Sequence, residues 1–424
     1  MRRYWVAALS ALIAVSSGAQ WKAHEVQLLN GAESVSVPAQ FQIVTESWNR
    51  VVAVPYIAYV PEKDRVLMLV SCDYPHQAML LHSDDHGATW SAPEFMHLGA
   101  DGKPDTGMGI GLTYIGDGKA FVTAGHRWFS RDYGKTWEDY GAIPPTPDGA
   151  TWNGWDPMFV DRDPATKAVK RLVETGYSMD VARWESNGGP GYSKGHIHSS
   201  VDEGRTWVDV AKVPEWDGAS EITIIRAANG ELVAGCRTDK PASLTEVLDH
   251  YEGMAVSISK DNGKTWSPLN RLYAWGRHHP SLVLLPDGTL VMTYVVRKGY
   301  TDAPDGFPRF AVEAIISKDN GQSWDLDHRY VLHWWKGNRT GPNSWWPSSQ
   351  ATSTLLMPDG SLLTSFGTGY RTGDSDKNQS APRDVGLVSW KLSDATLDGT
   401  DAITKSALES EARNVFDPKV LRTH

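Results

Sequence analysis

Only two cysteines, Cys72 and Cys236, occur in 424 residues, so no disulfide framework can hold the fold. Each sits inside an apolar run, VLMLVSC and ELVAGC, which predicts a buried free thiol. Cys/His spacings of the metal-binding kind are missing too, and neither a metal nor another cofactor is expected. Long hydrophobic runs are equally scarce: the apolar stretch Val6 to Val15 is too short to span a bilayer. Positive charge is in deficit, with 41 Lys and Arg against 51 Asp and Glu. An acidic surface argues against nucleic acid or an anionic membrane as partner, and the chain is expected to be a monomer.

The first 19 residues read as a secretory signal. Arg2 and Arg3 form a basic start, Val6 to Val15 an apolar centre, and Ser17-Gly18-Ala19 a small-residue cleavage site before Gln20. The mature protein, secreted or periplasmic, keeps 39 of the basic residues and all 51 acidic ones.

What is abundant is turn and anchor chemistry. With 19 Trp, 39 Gly and 24 Pro beside ordinary fractions of charged (22%) and hydrophobic (41%) residues, the chain reads as all-β, with short strands and many turns. One octapeptide recurs five times: SDDHGATW from Ser83, SRDYGKTW from Ser130, SVDEGRTW from Ser200, SKDNGKTW from Ser259 and SKDNGQSW from Ser317. In the pattern S-x-D-x-G-x-T/S-W, the Asp carboxylate can accept backbone N–H bonds within its own turn. Gly tolerates positive φ, and Trp can anchor the hairpin in the core. The Trp residues closing the octapeptides are 47, 70, 59 and 58 residues apart, the size of one four-stranded sheet with its loops.

A second signal, a turn followed by an apolar strand, starts at Pro61, Gly116, Asp163, Ala228, Pro286 and Pro358. Together the two signals predict a six-bladed β-propeller over residues 20–392 with five octapeptide hairpins. The last blade ends in DVGLVSWKL, Asp384 to Leu392, and the apolar segment near Phe41 to Val54 is expected to supply its missing strand and close the ring. Residues 393–424 read as a polar tail.

Repeated boxes of this kind on a six-blade count resemble the sialidase (neuraminidase) superfamily, whose propellers carry BNR repeats, or Asp boxes. The resemblance runs over essentially the whole mature chain and implies a glycosidase. Its sharpest part is GASEITIIRAANGELVAGCR, where Glu221 opens one strand and Arg237 ends the next. This is similar to the family's catalytic Glu and second substrate-binding Arg. Asp73, ten residues before Ser83, resembles the acid/base Asp, while Arg309 and its rival Arg297 resemble the third binding arginine. Two positions depart from the pattern. Ala53 stands where the first arginine belongs, and NSWWPSSQ, with Trp345, Trp346 and Gln350, replaces the segment that should hold the catalytic tyrosine.

Propeller topology gathers residues before inner strands, and after second strands, at one mouth. This adds Asp156 as a further candidate acid, and His279, Arg371, Tyr370 and Tyr177 as candidate sugar-binding groups. The leading reading is a secreted glycoside hydrolase acting on an extracellular glycan, with Asp73, Asp156 and Glu221 as candidate catalysts, but not a typical sialidase. Two alternatives stand beside it. One is a polysaccharide lyase acting on uronic acids, the other a non-catalytic carbohydrate-binding propeller.

Overall fold

The structure, a computed structural model, describes residues 20–30, 33–180, 192–241, 251–298, 304–341, 344, 351–373 and 381–394. The proposed signal, the tail from residue 395 and the residues Trp345, Trp346 and Gln350 lie outside the described residues.

The chain opens with β1 (Lys22–Asn30) and β2 (Glu33–Ile43), an antiparallel pair. Four meandering sheets follow. The first holds β3 (Val52–Val60), β4 (Arg65–Cys72), β5 (Gln77–Ser83) and β6 (Glu94–Phe95); the second holds β7 (Ile110–Gly116), β8 (Lys119–Ala124), β9 (His126–Ser130) and β10 (Glu138–Ala142). The third holds β11 (Phe159–Arg162), β12 (Val169–Met179), β13 (Ser193–Ser200) and β14 (Val208–Asp217); the fourth holds β15 (Ala219–Arg226), β16 (Leu232–Thr238), β17 (Gly253–Ser259) and β18 (Asn270–Tyr273). The remaining strands are β19 (Arg277–Leu284), β20 (Leu290–Lys298), β21 (Arg309–Ser317), β22 (His328–Lys336), β23 (Thr352–Leu356), β24 (Leu362–Tyr370) and β25 (Arg383–Trp390). They join β1 and β2 in one nine-stranded sheet, ordered β19-β20-β21-β22-β1-β2-β25-β24-β23.

The fold is an all-β propeller. Residues of, or directly before, β3, β7, β11, β15, β19 and β23 line one axial cavity of about 330 Å³. Both ends of the nine-stranded sheet therefore meet at the axis, and its middle, β1, lies at the periphery. Closure follows the sequence expectation in part: Phe41 to Ile43, at the end of β2, pair with β25, while residues 52–60 form the inner strand β3. β1 pairs with both β2 and β22 and so fuses two groups of strands by hydrogen bonds.

Each recurring octapeptide links a third strand to a fourth. At Asp132, Oδ1 accepts from the Ser130 hydroxyl (2.9 Å) and the Thr136 N–H (2.9 Å), and Oδ2 accepts from the Thr136 hydroxyl (2.6 Å). Gly134, at φ 82°, donates its N–H to Ser130 Oγ at 2.9 Å. The same bonds recur around Asp85, Asp202, Asp261 and Asp319. At Asp202 and Asp261 the threonine hydroxyls, with the N–H donors, pull the carboxyl down to about 2. The tryptophans seal the cores between neighbouring sheets, Trp137 and Trp324 among them. Cys72 and Cys236 are free and buried in β4 and β16.

Candidate active site at the mouth of the axial cavity

Strand direction alternates, so the turns before second strands and the octapeptides lie at one end of the ring. The starts of inner strands, the ends of second strands and the starts of third strands lie at the other. That second end is the mouth.

Four inner strands are bulged at the same place. Val54, Gly111, Glu221 and His279 have φ of 51°, 65°, 39° and 59°, and the register of each strand against its neighbour shifts there. A left-handed residue at a bulge re-aims its own side chain, and non-glycine residues hold that conformation only where the surroundings enforce it. The bulge places Glu221 and His279, 5% and 0% exposed, beside one another at the mouth.

Glu221 Oε1 accepts a 2.6 Å bond from the Arg237 guanidinium, which also grips Glu252. Tyr192 donates its hydroxyl to the other oxygen of Glu252. Burial, opposed by Arg237, raises the Glu252 carboxyl to about 7. Arg237 is thus clamped between two carboxylates. Asp156, buried one inner strand away, is pushed well above the carboxylate range by burial and then by the negative charge of Glu221. Its segment is held from two sides. The Tyr56 hydroxyl donates to the Trp155 carbonyl at 2.5 Å, and Gly111 lies so close that a Cβ there would meet the Asp156 carbonyl at 2.7 Å. Tyr56 and Tyr177 are pushed upward by burial first; Asp156 and Glu221 add to both.

Of the residues singled out from sequence, Glu221, Asp156, Arg237, His279, Tyr177 and Arg297 share this neighbourhood. Arg297 is buried, and burial followed by the nearby Arg237 charge pulls it well below its ordinary value. Asp73 lies at the same end but at the rim, half exposed, paired with Arg50 at 3.4 Å. Arg309 is occupied by Asp305 at 2.7 Å and by the Phe307 carbonyl at 2.6 Å. Arg371 binds both oxygens of Asp384 and the Thr45 carbonyl. Tyr370 is buried under Arg339, whose guanidinium lies 3.4 Å from the ring centre. Sequence reasoning missed Tyr56, Tyr192 and Glu252. Tyr192 and Glu252 each stand one residue before a third strand, a position that was not counted as part of the mouth.

An all-β propeller whose mouth holds buried carboxyl groups against a guanidinium defines the class of protein. The family described as BNR repeat-like domain matches residues 110–329, and the chain belongs to this sialidase-like family. Among solved structures, a protein of unknown function from Dyadobacter fermentans is similar with 14% identity, TM-score 0.58, over 88% of this chain and 99% of that one. Phage phi92 endosialidase is similar with 11% identity, TM-score 0.54, over 87% and 73%. Trypanosoma rangeli sialidase is similar with 15% identity, TM-score 0.49, over 85% of this chain and 57% of its own. At these identities the likeness concerns the fold. No protein of curated function matches the sequence.

Proposed function

We propose that this chain is a secreted glycoside hydrolase acting on an extracellular glycan, with Asp156 as general acid and Glu221 as its partner carboxylate. Residues 20–392 would form a six-bladed ring, the nine-stranded sheet counting as two blades fused through β1 and the octapeptides acting as five Asp boxes. Residues 1–19 would be the signal and 393–424 the tail.

One observation carries the reading: two carboxyl groups share a buried mouth in opposite environments. Burial, and then Glu221, push the Asp156 carboxyl upward and so favour its neutral form, while Glu221 is tied to Arg237. Splitting the behaviour of two acids in this way assigns proton donor and charge stabiliser in glycoside hydrolysis. Asp156 would give its proton to the leaving glycosidic oxygen as the bond to the anomeric carbon breaks. Glu221 would support that carbon, as base towards water or as nucleophile, and water would finally restore the proton.

A sialidase-like grip on a substrate carboxylate has little support here. Arg237 is clamped by Glu221 and Glu252, Arg309 is bound to Asp305, and Ala53 holds the first arginine position. The test is release of new reducing ends from a panel of polysaccharides and oligosaccharides by the wild type, Glu221→Gln and Asp156→Asn. Loss of turnover by about 10²- to 10⁴-fold in both variants supports the assignment. Products with ultraviolet-absorbing unsaturated ends make it a lyase, and binding with no turnover in the wild type makes it a lectin-like propeller.

A further inference from the structure

An open groove of about 760 Å³ lies along the outer edge of the first sheet, a volume within the range of small-ligand sites. Two pieces of chain build it. One is the crossing from β2 to β3, where Trp48, Asn49 and Arg50 come just before the inner strand. The other is β6 and its continuation, which set Phe95 opposite Met79 of β5 and leave Leu98 50% exposed beyond the strand. The crossing is fastened at Thr45. Its hydroxyl donates to Asp384 at 2.7 Å, and its carbonyl accepts from the Trp48 N–H at 2.8 Å and from Arg371 at 2.7 Å. A wall fixed in this way costs little further ordering when a ligand arrives.

Topology sets the groove at the same end of the ring as the mouth. Residues 48–50 precede an inner strand, and Met79 stands near the start of a third strand. β6 runs from the octapeptide towards the mouth, so Leu98 lies at that end as well. Rim and groove are also bonded together. Arg50 pairs with Asp73 of the rim at 3.4 Å, and its carbonyl accepts the N–H of Arg383 at 3.3 Å. Tyr74, next to Asp73 in the loop that joins β4 to β5, is 55% exposed at this rim.

The lining is amphipathic in the way a sugar ring is. Trp48, Phe95, Met79 and Leu98 offer an apolar bed for the C–H face of a ring. Asn49 and Glu94, exposed at the margin, offer donors and acceptors to its hydroxyls. Arg50 is already held by Asp73, by Met79 Sδ at 2.9 Å and by the Phe95 ring, whose centre is 5.4 Å from the guanidinium. Asp73 and Glu94 together outweigh its charge, which opposes acidic sugars here.

We infer that the groove is a distal subsite for an uncharged stretch of a glycan chain reaching outward from the mouth, which makes longer oligosaccharides and polysaccharides better substrates than disaccharides. The substrate preference rests on the hydrolase reading, and the binding does not.

The experiment compares disaccharides and hexasaccharides of the gluco, xylo, manno and galacto series by release of reducing ends, and measures hexasaccharide binding to Asp156→Asn by calorimetry. The wild type should prefer the hexasaccharide in kcat/KM. Leu98→Asp and Trp48→Ala should each lower that preference by about 3- to 10-fold, mostly through KM, and weaken the calorimetric binding by a similar factor. Leu98 is a surface residue, so its variant provides the comparison if the Trp48 variant does not fold. Equal turnover of both sizes by the wild type overturns the inference and leaves the hydrolase standing, as does an unchanged preference in Leu98→Asp. Tighter binding of hexagalacturonate than of the neutral hexasaccharides overturns it too. A dimer in sedimentation velocity that Leu98→Asp dissociates assigns the groove to a second copy of this chain, with the same consequence. If no oligosaccharide is turned over, calorimetry on the wild type decides. Hexasaccharide binding that Leu98→Asp weakens supports the subsite and overturns the hydrolase, and no binding overturns both.

Discussion

The proposed acid should weaken the protein that carries it. Asp156 is buried and its carboxyl is displaced upward, so between the ordinary carboxylate value near 4 and its own higher value the folded state binds a proton that the unfolded state has released. Stability therefore falls as pH rises through that window, by up to about 1.4 kcal/mol for each unit of displacement. Asp156→Asn keeps the shape, has no charge to bury and removes that slope. Equilibrium urea unfolding of wild type and variant from pH 4 to pH 8 should show two curves that separate with rising pH, the variant being the more stable at pH 7. The same variant should lose about 10²- to 10⁴-fold in turnover, or roughly 3–5 kcal/mol in the barrier. Parallel stability curves would show that Asp156 is ionised in the folded state like any surface acid, and the general-acid assignment would go with them.

Further expectations address neighbouring residues. Asp73→Asn should change turnover by less than tenfold, because Asp73 is a half-exposed partner of Arg50; a loss equal to that of Asp156→Asn, in the same reducing-end assay, would return the acid/base role to the rim. Tyr56→Phe deletes the bond to the Trp155 carbonyl and should cost about 1 kcal/mol in urea unfolding while lowering kcat more than it alters KM. Arg237→Met leaves Glu221 and Glu252 buried without their cation, and should cost about 3–5 kcal/mol at pH 8, less at pH 5, below the raised value of Glu252. Asp132→Ala removes the octapeptide's acceptor and should cost about 1–2 kcal/mol in unfolding with no effect on turnover.

The architecture was legible wherever a turn needs particular chemistry. Positive φ at Gly134, the Asp132 acceptor and the Trp137 anchor are demands of one short segment, so they leave a signature that repeats with the blades. Closure was not legible to the same degree. β1 and β2 carry no such turn signature, and their place between β22 and β25 follows from pairing partners roughly 300 to 350 residues away in sequence. The carboxylate–guanidinium pair Glu221–Arg237 was legible because neighbouring strands in one sheet bring it together. The positions of Arg309 and Arg371 were not, because local acids, Asp305 and Asp384, compete for them.

The residues that sequence reasoning missed share a topological address. In an up-and-down sheet the second and third strands are joined at the mouth, so the start of a third strand is as close to it as the end of a second. Tyr192 precedes β13 and Glu252 precedes β17, and both reach Arg237's cluster from there. Their role follows from their distance from the axis: Asp156 lines the cavity and Glu221 opens an inner strand, while third-strand residues stand behind the second-strand arginine and complete its charge. That makes the mouth layered. Glu252 and Tyr192 hold Arg237, Arg237 holds Glu221 Oε1, and Glu221 Oε2 lies buried 3.9 Å from His279 Nε2. A carboxylate anchored in this way through one oxygen has a fixed orientation, the kind of support that a preorganised site needs from the residues behind it.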